Sequence, residues 1–175
     1  MPTFVSFLRG VNVGGRVVKM VELKQCYEDA GMTNVSTLLQ SGNVVFDCPK
    51  TDDDEVTEAL ESAVSQRFNY PAKILVLKKS ELQPLADAYP FDSSNQDFQH
   101  YVIFVRAGMA KDLADAAGKL DPKTEAVQAG DGVVYWRVQK GMTLKTTFAN
   151  VLTKQPFRDA HTNRNLNTVR KLLAT

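Results

Sequence analysis

The chain has 175 residues and a hydrophobic fraction of 43%, enough for one globular domain or two small halves sharing a core. No apolar run approaches the roughly 20 residues of a membrane helix, and the first apolar stretch has strand length with no basic segment before it, so neither a span nor a signal peptide is expected. Net charge is +1, but residues 1–139 carry 14 Lys/Arg against 19 Asp/Glu, whereas residues 140–175 carry seven against Asp159 alone. A basic segment of that kind attracts phosphates or an acidic surface, or forms a solvated helical face.

Cys26 and Cys48 are the only cysteines, and they show neither CxxC spacing nor a Cys/His cluster. A reduced, cytoplasmic protein without a metal or other cofactor is the expectation. Cys26 lies beside the apolar face of a predicted helix and reads as a buried thiol.

In chain order, Phe4 to Leu8 is apolar except for Ser6 and predicts a central strand. A glycine loop follows. Met20, Leu23, Tyr27 and Ala30 then recur at helical spacing, with Gly31 as the stop. Val35 to Leu39 and Val44 to Phe46 read as strands joined by Gln40-Ser41-Gly42-Asn43, where Gly and Asn accept positive φ. Thr51 and the aspartates after it open a helix with the stripe Val56, Leu60, Val64 and Phe68, the Thr as its cap. Lys73 to Leu77 closes a βαββαβ order, the ferredoxin-like arrangement.

A short helix from Ser80 to Ala88 and a polar connector over 90–98 lead to a partial repeat. Tyr101 to Val105 reads as a strand and Ala110 to Ala117 as a helix. Glu125 to Gln128 and Val133 to Val138 form a hairpin around Gly130-Asp131-Gly132. Leu144, Phe148, Val151 and Leu152 mark another helix. Residues 101–152 thus read βαββα, and a last helix starts near Asn165. The predicted fold is α+β: two ferredoxin-like halves of mixed or antiparallel sheet, residues 1–79 and 80–175, ending in a basic C-terminal helix.

The segment Arg9-Gly10-Val11-Asn12-Val13-Gly14-Gly15-Arg16 is the strongest chemical signal. Its glycines and asparagine permit a sharp turn with uncovered N–H groups, and arginines stand at both ends, a chemistry that suits an anion. The P-loop pattern fails after Gly15, where Arg16-Val17 stand in place of Lys and Ser/Thr, which argues against triphosphate hydrolysis. The dinucleotide pattern GxGxxG is also missing. In a ferredoxin-like sheet the end of the first strand lies beside the start of the third. That geometry predicts a cleft between this loop and Gln40–Asn43, with donors from Arg9, Asn12, Gly14, Gly15, Arg16, Gln40, Ser41, Gly42 and Asn43.

The run Thr162-Asn163-Arg164-Asn165-Leu166-Asn167-Thr168 is a second cluster. Thr162 or Asn163 can cap the last helix, and Arg164 and Asn165 are candidates to close the cleft. Catalytic signals are scarce. His100 reads as structural or exposed ahead of a strand, and His161 is a candidate acid or base with no nucleophile identifiable beside it. The third strand offers Phe46 alone for base stacking and lacks the RNP1 alternation of RNA-recognition domains.

The sequence resembles the bacterial family known as domain of unknown function 1697. The likeness rests on Leu8-Arg9-Gly10-Val11-Asn12-Val13-Gly14-Gly15, on Gln40-Ser41-Gly42-Asn43-Val44-Val45-Phe46 and on Asn163-Arg164-Asn165-Leu166-Asn167-Thr168-Val169. It implies an α+β fold with two ferredoxin-like halves and assigns no activity. Three functional readings stay open: binding of a small phosphate- or carboxylate-bearing ligand, nucleotides included; an enzyme acting on such a ligand; or a module docking its basic segment on nucleic acid or an acidic protein. No membrane partner is expected, and the oligomeric state is not legible.

Overall fold

The computed structural model describes residues 1–11 and 15–175. The chain divides into two compact units, Met1–Gln83 with Lys171–Thr175, and Pro84–Arg170. Both are α+β, and each carries one four-stranded antiparallel sheet.

In the first unit β1 (Thr3–Leu8), α1 (Met20–Asp29), β2 (Thr33–Leu38), β3 (Asn43–Asp47), α2 (Asp53–Phe68) and β4 (Ile74–Lys78) follow one another, and the strand order is β2-β3-β1-β4. That is the ferredoxin-like sheet, with β1 central between antiparallel neighbours. Alternation along the strands turns Phe4, Leu8, Val44, Phe46, Ile74 and Val76 to one face. They form a core with Leu23, Cys26 and Tyr27 of α1 and with Val56, Leu60 and Val64 of α2. Phe4 stacks on Phe46 at 5.7 Å between ring centres, and Tyr27 meets Phe46 edge-on at 5.3 Å.

Ser6, the polar exception in β1, shares that face. Its hydroxyl lies 2.8 Å from the Tyr27 hydroxyl, so two buried polar groups satisfy each other. Burial leaves the Tyr27 phenol far harder to ionise than usual, with the Ser6 bond opposing that shift. Phe46 is fully buried, which removes it as a base-stacking platform.

Two details differ from the sequence reading. The cap of α2 is Asp52, not Thr51: its carboxylate accepts from the Asp54 and Glu55 amides at 2.9 and 3.2 Å, and a charged acceptor at a helix N-terminus gains more than a hydroxyl. In the hairpin the positive φ angles fall at Leu39 (60°) and Gly42 (79°), whereas Asn43 is already in β3.

α3 (Lys79–Asp87) leads from one unit into the next. The second unit then runs β5 (Phe98–Val105), α4 (Ala110–Ala116), β6 (Glu125–Ala129), β7 (Val133–Gln139), α5 (Thr147–Leu152) and β8 (His161–Asn165), in sheet order β6-β7-β5-β8. This is the same topology repeated. Ile103, Leu113, Val134, Trp136, Val138 and Phe148 lie in its core. α6 (Leu166–Leu173) ends the chain.

β5 starts at Phe98 rather than Tyr101, Leu144 lies outside α5 and is exposed, and β8 occupies residues expected to cap the last helix. β8 reads His-Thr-Asn-Arg-Asn. It has no apolar residue to betray its period, and its pairing with β5 holds it in the sheet. The N-terminus of α6 is consequently braced by Asn165, whose side-chain oxygen accepts from the Asn167 amide at 2.9 Å, not by Thr162 or Asn163.

Candidate functional site

The end of β1, where the first loop begins, is joined to the hairpin turn of the first unit. The Leu8 amide donates to the Gly42 carbonyl at 2.9 Å, and the Arg9 amide donates to the Lys73 carbonyl at 3.0 Å. One end of the sheet therefore gathers Arg9, the Leu39–Gly42 turn and the segment leading into β4. Gly42 is packed tightly there: a Cβ at that position would lie 2.8 Å from Leu8 Cβ and 2.9 Å from Val11 Cγ2. Beside Gly42 the seam is thus filled by hydrocarbon of Leu8 and Val11.

Arg16 folds back over the loop. Its guanidinium donates to the Gly10 carbonyl at 3.3 Å and lies 4.3 Å from the centre of the Tyr70 ring. Burial makes the Tyr70 phenol harder to ionise, with Arg16 opposing the shift. Gly10 and Gly15 both take positive φ, 67° and 83°. Asn12 and Gly14, the other loop residues expected to donate, lie outside the described residues.

Across the seam, Gln40 and Ser41 are exposed and Asn43 is buried. The Asn43 side-chain Nδ2 donates to the Leu38 carbonyl and to the Ser41 hydroxyl, both at 2.9 Å. It braces the hairpin from within and fixes where Ser41 points. Lys19 and Lys73, which the motif reading did not pick out, add exposed charge at the same end. Lys73 could have been found from its place at the start of the strand beside Arg9. Glu61 accepts from the Ile74 amide at 3.0 Å, next to Lys73, and Glu22 stands in the first turn of α1. Arg9 and Lys73 are thus neighbours through their backbones, and Arg16 lies against Gly10 and Tyr70.

Arg164 and Asn165 belong to the second unit. Arg164 is buried on β8, and its guanidinium donates to the Thr162 hydroxyl at 2.8 Å and to the Asn163 carbonyl at 2.9 Å. Burial lowers its pKa to about 10, so it stays charged at neutral pH. The basic segment around it is partly engaged. Arg158 lies 3.7 Å from the Asp159 carboxylate, and Arg170 donates to the Ser93 hydroxyl at 3.1 Å.

Neither histidine stands as an isolated acid–base group. His100 lies within β5, where one ring nitrogen donates to the Asn95 carbonyl and the other meets the Tyr89 hydroxyl at 2.7 Å. That is a structural role. His161 donates from Nδ1 to the Phe157 carbonyl at 2.7 Å, which assigns the proton to that nitrogen and any proton transfer to Nε2. Among the described residues no group of His, Cys, Asp and Glu is arranged to hold a metal ion, and no helix is long and apolar enough to cross a membrane.

Glu125 carries no functional signal in the sequence. This carboxylate is buried in the second unit, where it accepts from Trp136 Nε1 at 3.0 Å and from the Phe148 amide at 3.3 Å. Both oxygens are used in holding β7 to the first turn of α5, so the role is architectural. A buried acid carries no periodicity signal when it stands first in its strand.

A doubled ferredoxin-like α+β protein is the class that the fold defines. The chain belongs to the family described as protein of unknown function DUF1697, which it matches over residues 1–135. It is similar in structure to the conserved bacterial protein SP0830 from Streptococcus pneumoniae. The two share 24% identity with a TM-score of 0.81, covering 99% of this chain and 97% of the other, a likeness of fold. A protein from Galdieria sulphuraria aligns over 99% of this chain and 88% of its own at 10% identity and a TM-score of 0.29, too slight a likeness to bear on the fold. No curated protein matches the chain.

Proposed function

We propose that the sheet end formed by the Arg9–Arg16 loop and the Gln40–Asn43 hairpin binds a small phosphate- or carboxylate-bearing ligand, with nucleotides and sugar phosphates as the first classes to try. The observation that supports this reading is the 2.9 Å bond from the Leu8 amide, at the end of β1 where the first loop begins, to the Gly42 carbonyl. It sets exposed donors from two distant parts of the chain beside one another. Arg9 and Arg16 supply charge, and the exposed Gly15, Gln40 and Ser41 supply hydrogen-bond donors. The cations at this end outnumber the carboxylates, which favours an anion over a cation or a neutral sugar. We set the protein in a bacterial cytoplasm, in keeping with Cys26 and Cys48 as free, buried thiols.

Thermal shift against a panel of nucleotides and sugar phosphates tests the reading, with wild type and Arg9→Ala compared. A charge-assisted arginine contact worth about 1.5–3 kcal/mol predicts that Arg9→Ala weakens the best ligand by at least about tenfold. A wild-type response that Arg9→Ala leaves unchanged would remove Arg9 from the site, and no response across the panel would count against the reading itself.

A further inference from the structure

The second unit holds a cavity of about 620 Å³ lined by Gln96, Asp97, Phe98, Lys123, Gln139 and Lys140, a size that suits a small organic ligand. Three segments meet in it. The Lys140 amide donates to the Asp97 carbonyl at 3.0 Å and the Gln139 amide to the Thr124 carbonyl at 2.8 Å. The end of β7 is thereby tied to the residues that precede β5 and β6. Phe98 is half-buried and the other five lining residues are exposed.

Phe98 stands opposite Gln139 in the β5–β7 register, and His100 opposite Arg137. By alternation these four lie on the side of the sheet away from Ile103, Trp136 and Val138 of the core. The Arg137 guanidinium lies 4.4 Å from the centre of the Phe98 ring and 5.5 Å from that of Phe91, and its Nη2 donates to the Pro122 carbonyl at 3.0 Å. Its Nε is buried without a hydrogen-bond partner, a cost that the two aromatic faces offset. Arg137 thus fixes the Phe98 ring at the wall of the cavity.

Among the described residues Lys123 and Lys140 join no ion pair. A bare anion would engage those two ammonium groups and leave the rest of the wall without a role, since Asp97 repels it and an aromatic ring gives it nothing. A nucleotide uses every group. We infer that this cavity binds a nucleotide whose base carries an exocyclic amino group. Phe98 takes the face of the base, Asp97 and the amides of Gln96 and Gln139 take its polar edge, and Lys123 and Lys140 take its phosphate. Arg137 acts through Phe98 as a positioning residue. The site lies within the second unit and does not rest on the anion reading of the first. A free nucleotide and one unit of a single strand share this chemistry.

Calorimetric titration of the full chain with AMP, UMP, inorganic phosphate and a short oligoadenylate tests this, on wild type, Phe98→Leu, Asp97→Ala and Lys140→Ala. Wild type is expected to bind AMP at least about tenfold more tightly than inorganic phosphate and at least about fivefold more tightly than UMP. Phe98→Leu is expected to bring AMP toward phosphate, Asp97→Ala to erase the preference over UMP, and Lys140→Ala to weaken AMP and phosphate alike. Oligoadenylate bound more tightly than AMP, and weakened by the same substitutions, would assign the nucleotide to a single strand; oligoadenylate bound no more tightly would assign it to the free pool. Both results support the site. Amide NMR on wild type gives a readout that no variant's folding affects: Phe98, Thr124 and Lys140 are expected to follow one saturation curve with AMP. The inference is overturned if AMP does not bind, if UMP binds equally well, or if AMP binds while those amides stay still. AMP binding that Arg9→Ala abolishes and the three substitutions leave unchanged would also overturn it, and would leave the anion reading of the first unit standing.

Discussion

Leu8 and Gly42, 34 positions apart in the chain, are joined by a 2.9 Å amide–carbonyl bond, and the Leu8 side chain leaves no room for a Cβ on its partner. Substitution at Gly42 therefore meets two obstacles, the positive φ of 79° and contacts of 2.8 and 2.9 Å with Leu8 and Val11. Gly42→Ala is predicted to cost about 2–4 kcal/mol of stability. Gly15→Ala is the control: its φ is 83°, but open space surrounds it, so the cost is about 1–2 kcal/mol from the backbone alone. Urea denaturation of both variants checks the order, and equal losses would deny the close packing of the two turns.

Glu125 gives a second prediction. Removing its carboxylate strands the Trp136 indole N–H and the Phe148 amide in a buried site. Glu125→Ala is expected to destabilise by about 2–4 kcal/mol, and Glu125→Gln by about 1–3 kcal/mol because one acceptor remains. Trp136 is the single tryptophan of the chain, so its fluorescence reports the loss directly. Unfolding curves superimposable on wild type would refute this role.

The Ser6–Tyr27 pair is expected to behave as a unit. Tyr27→Phe and Ser6→Ala each leave one buried hydroxyl without its partner. A double-mutant cycle is predicted to give a coupling of about 1 kcal/mol. Strict additivity would show that the hydroxyls do not depend on one another.

Asp47 supplies a pH prediction. Asn34 and Thr3 donate to its carboxylate at 2.7 and 2.6 Å and hold its pKa below the usual carboxylate range. Because the folded pKa is depressed, the stabilisation is present above the unfolded value, about 3.9, and is lost as pH falls through the lower folded one. Asn34→Ala is expected to raise the Asp47 midpoint, measured by carboxyl NMR titration, and to weaken the pH dependence of stability below about pH 4. An unmoved midpoint would assign the shift to another source.

Much of the fold was legible because its apolar residues keep time. Val56, Leu60 and Val64 sit at helical spacing and are all fully buried, and the first βαββαβ order follows from such patterns and from the Gln40–Asn43 turn. β8 was not legible because pairing with β5, and no hydrophobic period, makes it a strand. The adjacency of the two turns followed from topology alone. Their finer roles did not: nothing in the sequence says that Asn43 faces inward to Leu38 and Ser41, that Leu39 takes positive φ, or that Arg16 lies over Tyr70. Those choices are made by tertiary packing, which local propensity does not encode.

The most direct test is a backbone amide NMR titration with the best-responding phosphate ligand, read at Gly10, Gly15, Arg16, Ser41 and Gly42. Amides of both turns are expected to shift together along one saturable curve with a common dissociation constant. Shifts confined to one turn, or saturable shifts only at residues remote from both, would contradict a shared anion site.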